Sequence, residues 1–101
     1  MTAAQLVPDD PLGWYNAGVI LYAAKSYNDA AIAFNQAVSL KSDYANALFM
    51  LGLALHQLKD DKDAMRAFER VRELNPNDTT IAGAIANLSQ GKDPLTGAAS
   101  K

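Results

Sequence analysis

Cysteine is absent from this 101-residue chain. That excludes disulfides, thiolate metal sites and cysteine nucleophiles, and it leaves the redox compartment open. Histidine occurs once, at His56, with no HExxH-type spacing around it, so a metal site lacks ligands. Neither sign of charge dominates: nine basic and eleven acidic residues leave a net charge of -2. Such a balance gives no broad basic field to attract nucleic acid, and no strongly acidic one either. Long hydrophobic runs are missing too. The longest, such as Val19 to Ala24, fall far short of the ~20 residues a membrane-spanning helix requires. The opening "MTAAQLVPDD" carries no basic segment followed by an apolar one, so no signal peptide is read there. A soluble chain is expected, cytoplasmic by a small preference, with no membrane, nucleic-acid or cofactor partner.

Half of the residues are hydrophobic and a fifth charged, the balance of a globular chain and not of a disordered one. The length suits one domain near the small end of what buries a core comfortably. The main pattern is repetition. "DAAIAFNQAVSL", from Asp29, is followed 34 residues later by "DAMRAFERVREL", from Asp63. Leu6, Leu40 and Leu74 lie on the same ladder, as do Gly18 and Gly52, Ala30 and Ala64, Phe34 and Phe68, and Pro8, Ser42 and Pro76. A period of this length marks stacked supersecondary units.

Each period reads as a helical hairpin. Trp14, Ala17, Gly18 and Leu21 follow the i, i+3, i+4, i+7 rule, and Leu48, Leu51, Gly52 and Leu55 repeat that stripe. Ala30, Phe34, Ala37 and Val38 face the first stripe, with Ala64, Phe68 and Val71 in the same role against the second. Glycine and alanine facing each other let the two backbones approach closely, while the phenylalanine fills the space left beyond them. Asp10 before Pro11, Ser26, Asp60 and Asp78 stand at helix starts. The spacing predicts five helices, near 11–24, 27–40, 44–58, 61–74 and 78–90, and "GKDPLTGAASK" places glycine and proline where a helix stops.

Trp14, Ala17-Gly18, Leu21, Ala30, Phe34 and Ala37, with Leu48, Leu51-Gly52, Leu55, Ala64, Phe68, Val71 and Pro76, make the chain resemble the tetratricopeptide repeat family. The resemblance implies an all-α fold of antiparallel helical hairpins stacked as a short right-handed solenoid. Two full copies cover 11–44 and 45–78, and 79–90 forms a partial third repeat or capping helix. Residues 1–10 read as the tail of a preceding repeat or an N-terminal extension, and 91–101 as a flexible tail. Departures from the family pattern are Lys25 and Lys59 where glycine often separates the helices, Ser42 in place of the closing proline, and Val71 in place of alanine. These bear on local turn geometry.

Stacked hairpins of this family line a concave surface with their first helices, and such surfaces serve binding. Tyr15, Val19 and Tyr22 form a second stripe on the first helix; Phe49, Leu53 and His56 form its counterpart, with Met50 at its edge and Asn16 and Asn46 nearby. The resemblance implies that these positions line a peptide groove, here apolar and aromatic, suited to a protein or peptide segment with apolar side chains. Chaperone-binding members hold a C-terminal carboxylate with cationic residues, whereas the matching positions here are Tyr15, Val19, Met50, Thr80 and Ala84, which argues against that ligand.

Catalytic chemistry is thin. Asp60, Asp61 and Asp63 open a helix, where negative charge is favourable, and lack the glycine and distal glutamate of a calcium loop. Lys62, Arg66, Arg70 and Arg72 are interleaved with Asp63, Glu69 and Glu73, as on a solvated face. No phosphate loop and no nucleophile-base set appears, so a non-catalytic interaction module is expected. The alternative is self-assembly through the groove or through exposed ends of the stack, with Ile81, Ile85 and Leu88 at risk of exposure on the last helix.

Overall fold

The structure, a computed structural model, describes residues 9–96. These form five helices and no strand: α1 (Pro11–Ala23), α2 (Tyr27–Leu40), α3 (Ala45–Gln57), α4 (Asp61–Leu74) and α5 (Thr79–Ser89). Each packs on the next, and α1 also touches α3, so the chain is a stack of antiparallel hairpins. The first helices start at 11, 45 and 79, in step with the 34-residue ladder. Leu6 and Pro8 lie outside the described residues, as does all but Asp9 and Asp10 of the segment read as the tail of a preceding repeat.

Carboxylates start three of the helices. Asp10 accepts from the Leu12 amide at 3.0 Å, Asp60 from Asp63 at 3.2 Å, and Asp78 from Thr80 at 2.9 Å and Ile81 at 3.3 Å. Each satisfies an amide that lacks a partner within the helix. Ser26, placed at an equivalent start, makes no side-chain cap bond.

The two lysines at the glycine positions adopt the left-handed conformation that glycine would, with φ of 64° at Lys25 and 68° at Lys59. The reason is a pair of matching helix ends. Ser26 N–H donates to Leu21 C=O and Lys25 N–H to Tyr22 C=O, both at 2.9 Å. Asp60 to Leu55 and Lys59 to His56 repeat the arrangement at the same distances. This pattern of bonds satisfies carbonyls at the helix end and demands a positive φ. The lysines therefore carry local strain of about 1–2 kcal/mol each.

Glycine against phenylalanine closes both hairpins. A Cβ at Gly18 would lie 2.6 to 2.9 Å from three Phe34 ring atoms, and one at Gly52 would collide likewise with Phe68. Both rings are fully buried. Around Phe68 the core gathers Leu48, Leu53 and Val71 with Ile81, Ala84 and Leu88 of α5. Ile81 and Leu88, expected at risk of exposure, are thus buried and Ile85 is half-buried, because α5 turns its apolar side onto the second hairpin. At the opposite end, Ile20 is 69% exposed while Ala54 and Leu88, one and two periods later, are buried. Among the described residues no helix packs on that side of α1.

Residues 91–96, expected to begin a flexible tail, turn back along α5. Asn87 Nδ2 donates to the carbonyls of Pro94 at 3.0 Å and Thr96 at 2.9 Å, and Pro94 is buried. Residues 97–101 lie outside the described residues.

Candidate functional site

The stripe Tyr15, Val19, Tyr22 and its counterpart Phe49, Leu53, His56 fall on the first helices, yet several of these side chains are engaged inside the fold. Tyr15 packs its ring 5.9 Å from Phe34, and Phe49 stands 5.6 Å from Phe68, so one ring pair is used twice. Tyr15 also stacks at 5.3 Å on Tyr44. Tyr22 meets Tyr27 edge-on at 5.1 Å. The equivalent pair one period later is polar: His56 Nδ1 lies 2.8 Å from the Asp61 carboxylate, and its Nε2 lies 3.8 Å from Asp93. His56 thereby ties α3, the start of α4 and the segment after α5 together.

Leu53 differs most from the sequence expectation. It is only 6% exposed and belongs to the buried cluster with Phe68, Ile81 and Leu88. Val19, its counterpart, is 37% exposed. The stripe is thus not uniform: α5 contributes to the cluster that encloses Leu53, while the shorter Val19 side chain stays at the surface. Asn16 and Asn46 are exposed, and Phe49 and Met50 are half-buried. Asn46 and Phe49 share a cleft of about 210 Å³ with Asn75, Asp78 and Thr80, at the junction of α3, α4 and α5.

Burial pushes the Tyr22 phenol above its ordinary range, with a hydrogen bond from Gln57 acting the other way and the negative charges of Tyr27 and Asp93 adding to the rise. Burial also raises Tyr44, and Tyr15 and Asp10 add to that shift. Tyr44, Gln57 and Asp93 are neighbours of the stripe that pattern reading missed. For Tyr44 a signal existed: it stands where Asp10 and Asp78 begin the other first helices, so it breaks the ladder by replacing a capping carboxylate with a ring.

Among the described residues no group of three or more histidine, cysteine, aspartate or glutamate side chains is placed to hold a metal ion. Nor is any helix there long and apolar enough to cross a membrane. A larger cleft, of about 690 Å³, opens on the other side of the stack, between α2 and α4 and over α3.

Comparison with known proteins agrees with this architecture. The human protein O-mannosyl-transferase TMTC3 is 30% identical over 92 residues, a stretch that takes in 87% of this chain and 10% of that protein. The chain thus spans about a tenth of the curated relative it matches. A tetratricopeptide repeat model matches residues 21–88, from the end of α1 to the last turn of α5 and across both glycine-phenylalanine hairpin contacts but for Gly18 itself. The chain belongs to the tetratricopeptide repeat family, whose members generally mediate protein-protein interaction.

Proposed function

We propose that this chain is a non-catalytic recognition module that holds a peptide or protein segment across the concave face formed by α1, α3 and α5. One observation carries the reading. On the first helices, exposed Asn16, Val19 and Asn46 stand beside Phe49 and Met50, which pack against the core yet stay half-buried, and together they leave a mixed surface. Amides suit the backbone of a bound segment, and the apolar groups suit its side chains; methionine adapts to their shape. Tyr15, Tyr22 and His56 support this surface from beneath through their ring contacts and the approach of His56 to the Asp61 carboxylate. Leu53 belongs to its foundation and does not meet the ligand.

The ligand is apolar and not an acidic chaperone tail, since Tyr15, Val19, Met50, Thr80 and Ala84 offer no cation to a terminal carboxylate. The transferase activity in the relative's name is not carried over, because the chain spans only a tenth of that protein's length. A displayed short-peptide library selected on the immobilised chain tests the reading. Selected peptides should bind Val19→Glu at least about tenfold more weakly, with helicity unchanged. Peptides that bind Val19→Glu and Asn46→Ala as tightly as the parent would place recognition elsewhere.

A further inference from the structure

The cleft on the second-helix side has an apolar floor of Leu48, Leu51 and Leu55 from α3. Its two walls differ. The α2 wall, with Asn28, Ile32 and Asn35, carries no charge, and Ile32 is 54% exposed. The α4 wall carries Asp60, Asp63, Arg66 and Arg70, so that along the helix two negative charges are followed by two positive ones. Lys62, Glu69, Arg72 and Glu73 do not line the cleft, although Glu73 pairs with Arg70 just beyond its end, so Asp60, Asp63, Arg66 and Arg70 are the charges that the cleft itself presents. The existing ion pairs here are short-range and open to water: Arg66 to Asp63 at 3.7 Å and Arg70 to Glu73 at 3.2 Å. Exposed pairs of this kind hold their side chains weakly and can be exchanged.

A row that reads minus, minus, plus, plus is complementary to itself when reversed. An identical helix laid antiparallel across α4 would set Asp60 against the second copy's Arg70 and Asp63 against the second copy's Arg66, each pairing occurring again on the other side of the two-fold axis. A parallel helix would set like charges together. Ala67, small and buried, lies beside the crossing point and permits close approach. We propose that the chain forms a two-fold homodimer through this cleft, with α4 of each copy antiparallel to the other and Ile32 and Leu58 covered in the contact. Isologous interfaces need just such self-complementarity. Opposite charges across the contact select this orientation, and the apolar floor and Ile32 supply the area removed from water. The concave faces stay open on the outer sides of the dimer, so a partner with two recognition segments would be held with avidity.

Single charge reversals with a rescue arm test the proposal on the whole chain. Sedimentation equilibrium should show a monomer-dimer equilibrium for the parent. Arg66→Glu places carboxylates opposite Asp63, and Asp63→Arg places guanidinium groups opposite Arg66; each should weaken self-association by about a hundredfold or more. An equimolar mixture of the two variants restores opposite signs at every position and should recover the dimer. Circular dichroism of each variant reports retained helicity. A parent that stays monomeric at all concentrations, variants that still dimerise, or a mixture that fails to recover association while both variants remain helical would each overturn the proposal.

Discussion

Replacing Gly52 by alanine adds one carbon to the closest helix approach in the second hairpin. That carbon would stand 2.8 Å from both Cδ1 and Cζ of Phe68, and nearer still to Cε1, where ordinary contacts run from 3.4 to 4 Å. Phe68 has nowhere to retreat: it is fully buried, and Phe49 lies against it with 5.6 Å between the ring centres. Overpacking of this kind costs about 1–3 kcal/mol. Alanine in a helix interior recovers roughly 0.5–1 kcal/mol relative to glycine, so the expected net loss is about 1–2 kcal/mol. For a chain of this size that lowers the melting temperature by roughly 5–15 °C. Gly83→Ala is the control, since a Cβ there meets nothing within 4 Å; it should show the helix gain alone and melt a few degrees higher, by about 0.5–1 kcal/mol. Urea and thermal unfolding followed by circular dichroism supply both values. Shortening the ring should relieve the clash, so Gly52→Ala with Phe68→Leu should cost less than the two single changes together, by about 0.5–3 kcal/mol. A Gly52→Ala variant that matches or exceeds the parent in stability, or additivity of the two changes, would refute the close packing of Phe68 on Gly52.

Lys59→Gly should stabilise the chain by about 0.5–1 kcal/mol in urea unfolding, because the relief of left-handed strain exceeds the added entropy of the unfolded chain. Lys25→Gly should do the same, while Gly91→Ala, at φ 76°, should destabilise by a comparable amount. A loss of stability in Lys59→Gly would contradict the helix-end geometry. Leu53→Asp buries a charge beside Phe68 and Ile81, so it should cost several kcal/mol and unfold much of the chain; a well-folded Leu53→Asp variant would return that residue to the open surface. Tyr22 and Tyr44 should ionise at higher pH than a free phenol in an absorbance titration. For an acid whose folded pKa is raised, the stabilisation is intact below the unfolded value of about 10 and is lost as pH climbs through the folded value. Tyr22→Phe should remove one late-titrating phenol, and an unchanged curve would argue against the burial of Tyr22.

Most of the fold was legible because the packing that makes it is encoded one residue at a time. Gly18 and Gly52 record a close helix-helix approach directly, although the group they face is the ring of Phe34 or Phe68 and not an alanine as expected, and the helix limits follow to within a residue or two from Pro11, Asp60 and Asp78. The site was less legible. Tyr15 and Phe49 share a register and share a structural task, which the repeat could have suggested. The separate fates of Val19 and Leu53 could not be read the same way, since they depend on how α5 closes over the second hairpin and not on the stripe itself. The link from His56 to Asp93 joins residues with no periodic relation, so pattern reading had no means to find it.

The last helix shows how departures from the ladder decide which surfaces remain available for assembly. Ala82, Ala86 and Ser89 stand where the two earlier copies carry Trp14 and Leu48, Gly18 and Gly52, and Leu21 and Leu55. The large apolar groups that would receive a second helix are gone from that face, while Ile81 and Leu88 point the apolar content inward. Gly91 then ends the helix with the bonding pattern seen after Lys25 and Lys59, its N–H donating to Leu88 at 3.0 Å and that of Lys92 to Asn87 at 2.9 Å. In the earlier copies the left-handed residue comes two positions later, so α5 is shorter by two residues than α1 or α3. The early stop lets Pro94 and its neighbours fold back onto Asn87. With that face small and partly covered, α5 offers little apolar area for end-to-end association. Self-association driven by apolar burial has more to gain at Ile32 and Leu58, beside the charges of α4 that are complementary to themselves when reversed.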